Sequence, residues 1–141
     1  MTVAIIGILA AISIPLFNDY KLKAKMTGVV SELKLLETAA IAYNLENESY
    51  PVDEQRGVVP AAITHLLPNN FFAQETPIGG VYDYEGPPNW TIAGFSIRDT
   101  EFNFGDPEWT LLDNIADNGN ILTGKFREEQ DWYVYVIDET P

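Results

Sequence analysis

Residues 2 to 17, "TVAIIGILAAISIPLF", carry no charged side chain. A helix built from them would be apolar on every side, with Val3, Ile5, Ile6, Ile8, Leu9, Ile12, Ile14, Leu16 and Phe17 running right round it. From Leu22 onward the pattern changes. Leu22, Met26, Val29, Leu33, Leu36, Ala40 and Tyr43 recur at spacings of four and three, which draws one apolar stripe along a helix whose other faces are polar. Asp19 and Lys23 form a favourable i, i+4 pair, and "SELKLLETAAIAYNLENE" is dense in strong helix formers. Pro51 predicts the end of the helix at Tyr50 or a little earlier. The pattern therefore predicts one helix of about fifty residues, roughly 70 Å long, which outruns any small domain.

Beyond Pro51 the elements are short. "VVPAAITHLLP" predicts a brief helix with Pro60 in its first turn and Pro68 beyond its end. "GGVYDYE" alternates Val81, Asp83 and Glu85 against Tyr82 and Tyr84, and "WTIAGFSIRD" follows across "GPPN", predicting an antiparallel pair. "GDPEWTLLDNIADNG" predicts a second helix with Asp106 as cap, Pro107 at its first position and Gly119 as its stop. "NILTGKFR" and "DWYVYVID" predict a closing hairpin across "EEQ". The fold class is α+β, with four antiparallel strands covering the helical stripe from Met26 to Tyr43.

A chain of 141 residues holds one core and little more. Its 8 basic and 21 acidic residues leave a net charge of -13, which disfavours phosphate backbones and anionic headgroups, so nucleic acid is excluded as a generic partner. No cysteine is present, which removes disulfides, thiol nucleophiles and thiolate metal sites while leaving the compartment open. Of the basic residues, Lys21, Lys23 and Lys25 follow the apolar run directly. They form a collar that either pairs with the acidic domain of a neighbouring molecule or stays solvated.

The apolar opening admits several readings. Residues 1 to 17 would cover roughly 25 Å against a hydrocarbon core of about 30 Å. A cleaved secretory signal calls for a basic leader and a small-residue cleavage site, whereas "PLFNDYKLKAK" follows the run. Gly7 and Pro15 add a feature that a plain anchor does not use. Proline has no backbone donor and its ring crowds the carbonyl of Ala11, so the stretch between the two residues can lengthen or lose helicity.

"MTVAIIGILAAISIPLFNDYKLKAK" closely resembles the N-terminal segment of bacterial type IV pilins and of type II secretion pseudopilins. The plan of long helix, "ESYP" break and acidic C-terminal region is similar to that family, and "YPVDEQRGVVPAAITHLLPNN" with "TPIGGVYDYEG" resembles its cysteine-free members. The resemblance implies a pilin-like fold: residues 1–25 form the hydrophobic half-helix that serves as membrane anchor and filament core, and residues 26–141 form the head with the second half of the helix. In the family, a peptidase cuts after a glycine ending a basic leader, and the mature chain opens with apolar residues around a glutamate. Met1 falls inside the apolar run of that pattern, and about six further residues upstream would bring the stretch to spanning length.

The implied function is a structural subunit, not an enzyme. It rests in the inner membrane and then passes, with the help of pilus or secretion assembly machinery, into a helical homopolymer of identical subunits. That polymer is an extracellular surface filament for adhesion, motility or surface contact, or a periplasmic pseudopilus. In the assembled state the resemblance implies irregular backbone from about Gly7 to Pro15. A third reading, from a different class, is a membrane-tethered binding domain that never polymerises.

Candidate chemistry is sparse. His65 is the single histidine, so no histidine pair for a metal or for proton transfer exists. Asp113, Asp117, Asn118 and Asn120 gather oxygens that calcium accepts, but without calcium-loop spacing, and helix-end turn chemistry accounts for them better. No cofactor is otherwise implied. Asn47 and Asn89 begin glycosylation triplets by pattern alone. The aromatic residues, including Trp90, Trp109 and Trp132, suit sheet and core packing.

Overall fold

A computed structural model describes residues 2–69, 71–100, 103–130 and 132–141, with the side chains of residues 2–4, 9–10, 12–13 and 15–16 left outside the description. Helix α1 spans Thr2–Asn47. Glu48, at φ 53°, ends it in the left-handed conformation, its N–H donating to the Asn44 carbonyl at 2.8 Å. The helix thus stops three residues short of Tyr50, whose ring is buried in the core instead.

The sheet comprises β1 (Val81–Glu85), β2 (Ala93–Arg98), β3 (Phe126–Glu129) and β4 (Trp132–Asp138). Its order is β1-β2-β4-β3, with every neighbouring pair antiparallel. A second helix, α2 (Asp106–Ala116), connects β2 to β3. This is an α+β layout with one long helix across a small antiparallel sheet.

Met26, Val29, Val30, Leu33, Leu36, Ala39 and Ala40 of α1 are buried in one cluster with Tyr82, Tyr84, Phe95, Ile97, Phe126 and Tyr135 of the sheet. Leu22 and Tyr43 are partly buried at its two ends. Alternation explains the sheet side, since residues 82, 84, 95 and 97 point to one face. Two carboxylates of α1 fix the register of helix on sheet. The Tyr82 hydroxyl donates to Glu32 Oε2 at 2.8 Å, and the Tyr135 hydroxyl donates to Glu37 Oε2 at 2.9 Å, while Lys125 pairs with Glu37 from β3's leading edge. Burial, reinforced by those carboxylates, pushes both tyrosines above the ordinary phenol range, so they remain donors. Phe104, Trp109, Phe126 and Tyr133 form a stacked and edge-on aromatic series between α2 and the β3–β4 hairpin, with Trp109 and Tyr133 4.6 Å apart.

Several short elements differ from the sequence expectation, each for a local reason. Between Pro60 and Pro68 only a single 3-10 turn forms, Thr64–Leu66, because the two prolines leave too few residues to propagate an α-helix. Its bonds run three residues back, such as Leu66 N donating to Ile63 O at 3.0 Å. A second such turn occupies Phe71–Ala73. Strand β2 begins at Ala93, since Trp90 N donates to Gly86 O at 3.0 Å and holds residues 86–90 in a turn.

Helix α2 is capped by Gly105 rather than Asp106. The Glu108 carboxylate reaches back to accept from Gly105 N at 3.0 Å, while Asp106 accepts from the Tyr133 hydroxyl at 3.3 Å. Strand β3 is only four residues long because Asn120 turns the chain beforehand, its Oδ1 accepting from Leu122 N at 3.2 Å. The final hairpin closes after Glu129, paired with Trp132, and Gln130 takes a φ of 52° as such tight connections require.

Candidate functional site

The residues that carry chemistry or recognition divide into four groups by position. The first is the bare N-terminal part of α1. Ile5, Ile6, Ile8, Ile14, Phe17 and Tyr20 are 58–68 % exposed, and their numbering distributes them around the whole helix at 100° per residue. Val3, Leu9, Ile12, Pro15 and Leu16 lie outside the described side chains. An exposed apolar surface that encircles a rod has no reason to persist in water and marks a place of contact with lipid or protein.

Nothing lies within 4 Å of the position a Cβ would take at Gly7. Space therefore does not demand glycine there, and its effect is on the backbone, which it loosens by about 1 kcal/mol relative to alanine. In the isolated chain α1 continues through both Gly7 and Pro15. Among the described residues, no helix is long and apolar enough to cross a membrane.

The second group is the junction below the head, where Lys21 and Lys23 are exposed. Asn18, Asp19, Lys21, Leu22 and Lys25 line a depression of about 330 Å³ there. At the opposite end of α1, Leu45, Glu46, Glu48, Val52 and Glu54 are all exposed.

The third group lies on the sheet face turned away from α1. Arg98 forms ion pairs with Glu85 and, at 3.3 Å, with Asp83, and Ser96 donates to Glu85 Oε1 at 2.6 Å. The Trp132 ring lies 3.7 Å from the Arg98 guanidinium. All four polar residues are buried, and Arg98 Nη1 has no hydrogen-bond partner. Burial first, then Glu85, raises Asp83 to about 6 against the pull of Arg98. The alternation in "VYDYE" and "GFSIR" places 83, 85, 96 and 98 on a common face. Sequence reasoning separated Asp83 and Glu85 from Tyr82 and Tyr84 by alternation but did not identify a buried cluster on their face.

The fourth group is the end of α2. Asp117 Oδ2 accepts from Lys125 N, Asn118 Oδ1 from Asn120 N at 2.7 Å, and Asn120 Oδ1 from Leu122 N. These oxygens serve the turn that leads into β3. Asp113 is fully buried, and neither carboxylate oxygen has a hydrogen-bond partner. Its pKa is raised by burial and by Asp117, and the backbone amides of Asn118, Asn120 and Gly119 oppose the shift only in part. No group of three acidic or histidine side chains suited to a metal occurs among the described residues. His65 is exposed in the 3-10 turn. Asn47 and Asn89 are exposed, with Nδ2 of each committed to Tyr43 O and Asp53 Oδ2 respectively.

Comparison with known proteins gives relatives of two kinds. A fimbrial protein of Pseudomonas aeruginosa is 50% identical over 48 residues, covering 34% of this chain and 31% of that protein. The type II secretion system core protein G of Klebsiella michiganensis is 40% identical over 96 residues, covering 62% of this chain and 68% of that protein. Core protein G of Klebsiella pneumoniae is 40% identical over 55 residues, 39% of each chain. The chain thus spans less than a third of the fimbrial protein it matches. No protein-family model matches, and no solved structure does.

Proposed function

The chain belongs to the family of type IV pilins and type II secretion pseudopilins, and on that premise we propose that it is a structural subunit that polymerises through residues 1–25 into a helical filament. The observation that carries this reading is the apolar N-terminal part of α1, whose described isoleucines and Phe17 are exposed while the head from Met26 onward has a packed core. Burying those side chains among copies contributes on the order of ten kcal/mol per subunit before association costs. Before assembly the same surface rests in the inner membrane, where lipid takes the place of neighbouring helices. The head supplies solubility, since every acidic residue but Asp19 lies beyond residue 25.

In the filament, Gly7 and Pro15 give α1 a segment that can extend as subunits adjust to one another. The absence of a proline N–H already removes one rung of the helix there.

A surface pilus is the leading destination. A periplasmic pseudopilus is the second reading, and it is favoured by the longer of the matches, which reaches 96 residues of a core protein G. Electron microscopy of the native cells with antibody against the head separates the outcomes. Labelled fibres extending from the surface support a pilus, and label confined to the periplasm supports a pseudopilus. Monomers alone, in cells and in mild detergent, would mean a tethered domain and refute polymerisation.

A further inference from the structure

Charge is distributed unevenly along α1, and the two ends of that distribution match each other. Below the head, Lys21 lines a depression on α1 with Asn18, Asp19, Leu22 and Lys25, and exposed Lys23 and Tyr20 lie within the same stretch of the helix. Above, exposed Leu45 and Val52 sit among Glu46, Glu48 and Glu54. None of these three glutamates makes an ion pair or side-chain hydrogen bond among the described residues. The head's Arg56, Arg98, Lys125 and Arg127, by contrast, are each paired with carboxylates of the same head. Four of the head's five cations are therefore paired within it, Lys34 being outside any ion pair among the described residues, and the acidic, apolar-centred crown is left unmatched. The lower stalk carries the complementary basic, apolar-centred collar.

One chain cannot join its own two patches. From Lys23 to Glu46 the helix rises about 35 Å along a continuous rod. Contact between the patches must be between copies, and because the patches differ it is heterologous, the kind of contact that can repeat along an open filament. Resting on the filament reading above, we infer that the crown of one copy docks on the collar of the next, the two displaced by about 35 Å along the α1 direction. The apolar centres exclude water and the charges set register and partner choice.

The chain has no cysteine, so a Lys21→Cys, Glu46→Cys double variant reports this contact cleanly. The two positions are far too distant within one molecule for a disulfide. After mild oxidation of assembled fibres, a non-reducing gel is expected to show a ladder of multimers. Each single variant should stop at dimers. In parallel, Lys21→Glu with Lys23→Glu, and Glu46→Lys with Glu48→Lys, should each reduce fibre counts at least tenfold, with recovery when all four changes are combined.

Fibres that form normally from either charge-reversed variant, or that yield no ladder in the cysteine pair, would overturn the crown-to-collar contact and leave the filament reading standing. Failure of the unaltered chain to form any fibre would instead overturn the filament reading itself.

Discussion

Asp83 is held ionised at neutral pH in a place that resists the charge. It shares one buried face with Glu85, faces Arg98 from β2, and lies near Asp53 and Arg56 of the segment after α1. Two buried carboxylates thus compete for one buried guanidinium. Burial, followed by Glu85, raises the Asp83 pKa from 3.8 to about 6. An acid whose folded pKa lies above its unfolded value binds more protons folded than unfolded between the two. Its contribution to stability is therefore greatest below pH 4 and declines as pH rises towards about 6.

Integrating between those values, ionisation of Asp83 costs about 1 kcal/mol at pH 4.5 and about 3 kcal/mol at pH 7.5. Asp83→Asn removes that dependence, while Arg98 keeps Glu85 as its partner. Urea unfolding of the whole chain in mild detergent, followed by tryptophan fluorescence, should show the variant gaining about 2 kcal/mol on the parent between pH 4.5 and pH 7.5. A difference that stays constant with pH, or that moves against the variant as pH rises, would refute the assignment of a strained carboxylate to this cluster.

Leu33→Ala, at a fully buried position of the α1 stripe, should cost about 2–5 kcal/mol in the same urea assay, whereas an equivalent loss at exposed Leu45 should cost almost nothing. Tyr135→Phe removes the donor to Glu37 but leaves Lys125 in place, and should lower stability by about 1–2 kcal/mol. Gly124 has a φ of 96°, and a Cβ there would lie 1.9 Å from Asp117 Oδ2. Gly124→Ala should therefore cost about 2 kcal/mol or more of stability in the urea assay.

Periodicity made the largest features legible. The three-and-four spacing from Leu22 to Tyr43 reads directly as a helix with one buried face, because so many turns repeat the same signal. Alternating aromatics announced β1 and β4 for the same reason. Short elements were less legible because single side-chain bonds decided them. Asp106 is the better cap by type, yet the Tyr133 hydroxyl engages it and Glu108 serves Gly105 instead.

The stretch from Pro60 to Pro68 had helical composition but lacked the length to nucleate. The buried Asp83, Glu85 and Arg98 cluster was hidden by a general rule that polar residues on alternate strand positions face water. Its signal was the presence of opposite charges on the same face of neighbouring strands, Arg98 lying diagonal to Asp83, with Trp132 on the next strand to cover them. The apolar opening was legible as an uncharged run, and its described isoleucines and Phe17 are exposed.

The account rests on that opening segment exchanging lipid for copies of itself. The most direct test is electron microscopy of purified chain carrying Ile8→Asp beside the unaltered chain, with near-ultraviolet circular dichroism to confirm that the head stays folded. The unaltered chain should give rods of uniform diameter, and the variant only folded single particles, since one buried carboxylate per subunit is repeated along the whole filament core. Rods of equal length and number from the variant would contradict the account.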